Sequence, residues 1–259
     1  MSHALIAAKS GWGKSWFAQW WTEDNLPNYD HVVILDRRDE FRGLVKAGFA
    51  TWGIVSNAEA GLSPADWREF IRSNPRVVLA RHHLDGDAWK GVAAAIIRAA
   101  LSMDDDVLLV IDEAHKVAPQ SGSYPDAMED LATEGRGQVA SLWVTQRLAK
   151  LDETPISEMM VYILGGFKSD NDLRKIAGNV GYNADVHKVS EDRVPGLSKE
   201  LRADDAGEVP VRKFTQDGRT VGSEWIYSDD SGQQKRINSK RKSMESEHYG
   251  PESLPLTVP

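Results

Sequence analysis

Apolar residues in this chain fall into short runs separated by longer amphipathic stretches. The runs 3–8 (HALIAA), 31–36 (HVVILD), 76–80 (RVVLA), 107–111 (VLLVI), 139–145 (VASLWVT) and 161–165 are bounded by polar or charged residues. Runs that short and apolar throughout predict strands buried on both faces. Residues 48–55 (GFATWGIV) predict a further strand. Between the runs the period changes. Trp16 and Trp20 are four apart, as are Phe17 and Trp21, which predicts a helix from Lys14 to about Asn25, ended by Pro27 and Asn28. Ser63-Pro64 reads as a helix start, with Ser63 as cap. Residues 89–103 and 124–134 predict helices, and 170–178 a short one.

Strands alternating with helices predict a mostly parallel sheet sandwiched by helices, the α/β class. After about residue 185 the alternation stops. Residues 207–227 predict short strands around a Gln216-Asp217-Gly218 turn, and 228–259 a polar, loosely ordered, partly basic tail. The expected division is a main domain over 1–215 and a small β-containing extension with a flexible tail over 216–259.

Composition narrows this modestly. The 259 residues include 41% hydrophobic ones, enough for one core with a small appendage. No run approaches the ~20 apolar residues of a membrane span. The N-terminus leads directly into a strand and a glycine loop, unlike a signal peptide. There are no cysteines, so disulfides and thiolate metal sites are excluded. A net charge of −8 means that any nucleic-acid contact must be local.

The chemistry begins at Ala8-Lys9-Ser10-Gly11-Trp12-Gly13-Lys14-Ser15, a strand-to-helix turn. It fits the phosphate-binding pattern G-x-x-x-x-G-K-[ST] except that Ala8 replaces the first glycine. Lys9, Ser10, Gly11, Trp12, Gly13, Lys14, Ser15 and Trp16 are the expected nucleotide-binding residues, because glycines let backbone N–H groups turn toward phosphate oxygens at a helix N-terminus. Lys14 would reach the β- and γ-phosphates, and Ser15 would offer its hydroxyl to Mg²⁺. Trp12, at the loop tip, is expected to be exposed. The second motif is the run 107–111 ending in Asp112-Glu113: Asp112 would hold the Mg²⁺ shell and Glu113 would activate water. The third is Gly135-Arg136-Gly137, the run 139–145, then Gln146-Arg147. Gln146 would sit near the γ-phosphate. Arg136 and Arg147 are candidate arginine fingers, or else surface arginines.

Together the segments AKSGWGKS, VLLVIDEAHKVAP and EGRGQVASLWVTQR resemble the HerA/FtsK superfamily of DNA-pumping ATPases. The stretch ILGGFKSDNDLRKI resembles the family's next strand and helix, so the likeness covers residues 3 to about 180. Ala8 departs from the family's loop, and the domains flanking the motor of its large members are missing. A form of this size is similar to genome-packaging ATPases of tailless icosahedral viruses with an internal membrane. That resemblance implies a RecA-like fold, ATP and Mg²⁺ as cofactors, double-stranded DNA as partner, and a homo-oligomeric ring, expected to be hexameric. It further implies capsid-vertex or membrane-protein contacts, and location in the infected cell's cytoplasm or the virion. Two alternatives stay open: a ParA/MinD-like nucleotide switch, suggested by Lys9, and a morphogenesis or export ATPase that does not act on DNA. The basic run Lys235–Lys242 is either a solvated tail or a DNA or capsid contact.

Overall fold

The computed structural model describes residues 3–134, 137 and 139–249. Ten strands of the described residues form one sheet: β1 His3–Ala7, β2 His31–Asp36, β3 Thr51–Val55, β4 Arg76–Arg81, β5 Val107–Ile111, β6 Val139–Thr145, β7 Val161–Leu164, β8 Lys213–Gln216, β9 Arg219–Asp229 and β10 Gln234–Asn238. Their order is β10-β9-β7-β1-β6-β5-β2-β4-β3, with β8 paired to β9. The seven strands from β7 to β3 are all parallel, and β9 and β10 continue the sheet antiparallel. This is the mostly parallel, helix-covered RecA-like architecture that the sequence predicts.

Among the described residues, seven α-helices cover the sheet: α1 Lys14–Asn25, α2 Arg42–Lys46, α3 Pro64–Ser73, α4 Gly86–Leu101, α5 Ala127–Glu134, α6 Glu153–Ser157 and α7 Asp170–Ala177. Side chains on a strand alternate between faces, so each central strand feeds two cores. Leu5, Val33, Leu35, Leu109 and Ile111 pack with Trp67 of α3 and Trp89, Ile96 and Ile97 of α4. Ala4, Ile6, Ile34, Leu108 and Val110 pack with Phe17 of α1, Phe41, Leu44 and Trp225. Ser63 caps α3 as expected, in a reciprocal capping box with Asp66. Helix α4 begins earlier than its apolar run, at Gly86, because Asp85 caps it by accepting from the Ala88 N–H.

The C-terminal region is more ordered than its polar composition suggests. Residues 234–238 form an edge strand rather than a loose tail. Arg236 bonds Glu224 at 2.7 Å and the carbonyls of Leu201, Val209 and Pro210. The chain then folds back over α1, where Ser246 accepts from Gln19 at 2.7 Å and donates its N–H to Glu23 at 3.0 Å. The basic run Lys235–Lys242 is thus built into the fold. Residues 250–259 lie outside the described residues. No helix among the described residues is long and apolar enough to cross a membrane.

Candidate functional site

The turn after β1 has the backbone that its glycines predict. Gly11 and Gly13 take φ of +70° and +92°, a region that costs other residues a steric clash. Gly13 precedes α1 with no side-chain cap. Among the described residues, no partner is found for the backbone N–H groups of Ser10 to Trp16. An uncapped helix start with its N–H groups open is an anion cradle by construction. The loop is held from below: the Lys9 N–H donates to the Gly166 carbonyl at 3.0 Å, and the Ala8 N–H to that of Thr145 at 3.4 Å. Ala8 is buried, so the position normally held by glycine is here a core contact.

Trp12 corrects an expectation. Its ring is turned inward and buried, and its indole Nε1 donates to the Glu224 carbonyl at 3.1 Å. The reason lies far away in sequence. Gly165 and Gly166, at the end of β7, form its seat, and a Cβ at either would run into the ring. Trp12 therefore ties the loop to β9, and only its backbone belongs to the cradle. Trp16, Trp20 and Trp21 are partly buried and pack against the core on the α1 side. The Lys9 ammonium lies 5.6 Å from the Trp12 ring.

Strand order brings the other motifs to the same edge. β6 lies between β1 and β5, in register Ala7 with Thr145 and Ile111 with Trp143. The ends of these strands place Lys14, Ser15, Asp112, Glu113 and Gln146 around one point, at the carboxyl edge where parallel sheets bind ligands. Gln146 Nε2 donates to Glu113 Oε1 at 2.8 Å. Glu113 itself has φ +50°, a left-handed conformation rare for a non-glycine residue. Such strain is retained at sites where position matters more than comfort. Arg147 is exposed beside this edge, with its N–H on Thr145 Oγ1 at 3.2 Å. Arg136 lies outside the described residues.

Two residues of this site had no role in the sequence-based expectations. The loop after β2 looks like an ordinary charged turn, but β2 is the neighbour of β5. Arg38 Nη1 reaches Glu113 Oε1 at 3.1 Å, and Arg38 Nε reaches Glu40 Oε1 at 3.5 Å. Glu40 accepts in turn from the Ser15 hydroxyl. Asp36 organises this loop by accepting from the N–H groups of Arg38, Glu40 and Phe41 at 3.3, 3.0 and 2.8 Å. The one available signal was the strand HVVILD ending in an acid at the level of Asp112.

The electrostatics are unbalanced. Four buried carboxylates, Asp36, Glu40, Asp112 and Glu113, converge here. Burial, and then the charges of Asp36, Glu40 and Glu113, push Asp112 well above the usual carboxylate range. Its Oδ2 is buried without a hydrogen-bond partner. Burial likewise raises Asp36 to about 6. Burial lowers the Lys14 ammonium from its ordinary value, opposed by Glu113, Asp112 and Glu40. His115, with Nδ1 2.9 Å from Thr145 Oγ1, is lowered to about 4 by burial and stays neutral at pH 7. Among the described residues no three acidic or histidine side chains are grouped to hold a metal on their own. Open backbone N–H groups on one side and an unpartnered acid on the other suit an anion and a cation arriving together.

Comparison with solved structures supports the architecture. No protein-family model matches the chain, and no curated protein sequence matches it. The chain superposes on the genome-packaging NTPase B204 of Sulfolobus turreted icosahedral virus 2 in complex with ATP-gammaS with a TM-score of 0.59 and 16% identity. That match covers 91% of this chain and 96% of that one. The same protein in complex with AMPPCP gives a TM-score of 0.59 and 15% identity over 91% and 96%. VirB4 of Thermoanaerobacter pseudethanolicus gives a TM-score of 0.57 at 12% identity over 91% and 88%. At such identities the likeness is one of fold, and the fold of this chain is that of the RecA-like P-loop NTPases.

Proposed function

We propose that this protein is an ATP-hydrolysing motor that acts on double-stranded DNA as a ring of identical subunits, in viral genome packaging. The observation that carries the reading is the placement of β6, which leads into Gln146, between the phosphate-loop strand β1 and the acid strand β5. That order gathers Lys14, Ser15, Asp112, Glu113 and Gln146 at one edge. The fold neighbour named a genome-packaging NTPase, matched over 96% of its length, supports the cargo.

In this reading the N–H groups of Ser10 to Trp16 and the Lys14 ammonium hold the phosphates. The unpartnered Asp112 and the Ser15 hydroxyl fit Mg²⁺, which keeps its remaining ligands as water and phosphate. The cation supplies charge neutralisation at the phosphate oxygens. Glu113 accepts the proton of the attacking water, and Gln146 and Arg38 fix its carboxylate. The hydroxyl with which Ser15 would hold the cation is the one that donates to Glu40 in this structure. Arg147, exposed at the edge, and Arg136 are the candidates to reach a neighbour's nucleotide.

The test is steady-state ATP hydrolysis with and without duplex DNA, beside a native mass measurement with nucleotide bound. The expected result is faster turnover with DNA and a multi-subunit mass. No stimulation together with a monomeric mass overturns the motor reading.

A further inference from the structure

Beyond the nucleotide site, one part of the surface is built unlike the rest. β9 pairs with β7 only through residues 226–229. Its earlier residues run on past the carboxyl edge of the sheet, beside the phosphate loop. Contacts fix that position: Thr220 Oγ1 donates to the Gly11 carbonyl at 3.3 Å, and Trp12 Nε1 to that of Glu224 at 3.1 Å. β8 pairs with this extension, Lys213 opposite Ser223 and Gln216 opposite Arg219. Asp217 and Gly218, with φ of +50° and +76°, close the hairpin in a turn whose twist suits a two-residue β-connection. The hairpin therefore stands out from the nucleotide edge.

Its charges are of two kinds. Arg212, Arg236 and Arg241 are neutralised by Glu224 with Asp205, by Glu224, and by Asp204. Lys9, Lys168, Lys213, Arg219 and Lys240 have no carboxylate partner among the described residues. Three of them converge from three elements. Lys9 follows β1, and Lys168 follows the adjacent β7, to which Lys9 is bonded through Gly166. Lys213 begins β8. Lys9 is lowered by burial and then by the nearby charges of Lys168 and Lys213, which places both within reach of it. The Lys9 side chain lies over the buried Trp12 ring, on the β7–β9 side of the loop. Like-charged lysines left without a carboxylate partner in a chain of net charge −8 mark a place for an anion.

We propose that the β8–β9 hairpin and the Lys9–Lys168–Lys213 group form the contact surface for the sugar-phosphate backbone of duplex DNA. The proposal rests on the duplex-DNA reading above and assigns it residues. A polyanion fits better than a protein partner. The exposed hairpin residues are Lys213, Thr215, Gln216, Asp217, Gly218, Arg219, Thr220 and Val221, with one acid, at the turn, against two cations, and Val221, at 41%, is the one exposed large hydrophobic residue among those described. Protein interfaces are instead anchored by buried aromatic and apolar groups. Lys213 and Arg219 on a two-stranded ribbon, with Lys9 and Lys168 beside its base, suit phosphates, a contact that carries no sequence information. Because the hairpin bonds Gly11 and Trp12 directly, load on it reaches the phosphate loop without an intermediary.

The test measures binding of a duplex of arbitrary sequence by fluorescence anisotropy across a salt series, with basal and DNA-stimulated ATP turnover on the same preparations. The proteins are wild type, the double variant Lys168→Ala/Lys213→Ala, and the charge-preserving Lys168→Arg/Lys213→Arg. The expected result is a double-logarithmic salt slope flatter by about 2 in the alanine pair, roughly 1 for each phosphate no longer neutralised. Its DNA-stimulated turnover falls, its basal turnover and thermal midpoint stay at wild-type levels, and the arginine pair binds like wild type. Wild-type affinity and slope in the alanine pair overturn this surface and leave the motor reading standing. An altered subunit mass with unchanged DNA binding also overturns it, and reassigns the lysines to contact between copies. Failure of the wild type to bind duplex DNA at any salt concentration sinks both.

Discussion

Two buried carboxylate centres lie on either side of the phosphate loop, and they are built on opposite terms. Glu224 is 4% exposed and fully compensated, with Arg212 and Arg236 on its oxygens at 2.7 to 3.0 Å. Those partners outweigh its burial and hold its pKa below the usual range. Asp112 is also 4% exposed, yet it sits among other acids with one oxygen unpartnered. The chain finishes the first centre by itself. The second keeps an acid oxygen that no donor of the described residues satisfies. A buried charge that its own protein leaves unbalanced is a stronger pointer to function than a buried charge as such.

The sharpest way to break this comparison is to remove one partner from each centre. Arg236→Ala strips a cation from Glu224 and leaves a buried acid undercompensated, which should cost about 3–5 kcal/mol in chemical denaturation. Asp112→Asn takes an ionisable acid out of a crowded acidic cluster, so the nucleotide-free protein should keep its stability or gain some. Loss of stability in Asp112→Asn comparable to that in Arg236→Ala would erase the distinction.

A second prediction concerns pH. The folded pKa of Asp36, about 6, lies above that of an unfolded aspartate, so the folded state binds the extra proton. Its contribution to stability is present in full below the unfolded pKa and is lost as pH rises through about 6. The stability difference between wild type and Asp36→Asn, followed by denaturation from pH 4 upward, should therefore shift against wild type by on the order of 2 kcal/mol. A difference flat in pH would remove the crowding argument. Glu224, lowered rather than raised, should show the opposite sign in the same experiment with Glu224→Gln.

The smallest expected effect lies where the two centres meet. Trp12→Phe keeps the ring on its glycine seat but deletes the hydrogen bond to the Glu224 carbonyl, which should cost about 1 kcal/mol. Nucleotide affinity should weaken alongside, since the same residue anchors the loop to β9. Unchanged stability and affinity would mean that the two regions are mechanically independent.

The two regions also differ in how much of them was legible in the sequence. β1, β5 and β6 are short apolar runs that end in chemistry-bearing residues, so local pattern was enough to locate Lys14, Ser15, Asp112, Glu113 and Gln146. Arg38 and Glu40 were not legible as site residues. A run of charges after a strand looks solvated until β2 is known to lie beside β5. Trp12 was misread for the same reason, because its burial depends on Gly165 and Gly166, some 150 residues away. β10 escaped because it is an edge strand whose central residue, Arg236, is buried by bonds to Glu224 and three carbonyls rather than by apolar contact. Local periodicity reports burial in a hydrophobic core, and it is silent about order achieved by ion pairs between distant segments.

The central claim is that the edge holding Lys14, Ser15, Asp112 and Glu113 hydrolyses ATP, with Glu113 as the base. The most direct test compares wild type and Glu113→Gln for ATP turnover and, in the same samples, for bound nucleotide. The account predicts that the variant binds Mg²⁺–ATP about as well as wild type while turnover falls by a factor of about 10²–10⁴, the usual share of a general base. A Glu113→Gln protein that turns over ATP at the wild-type rate would contradict it.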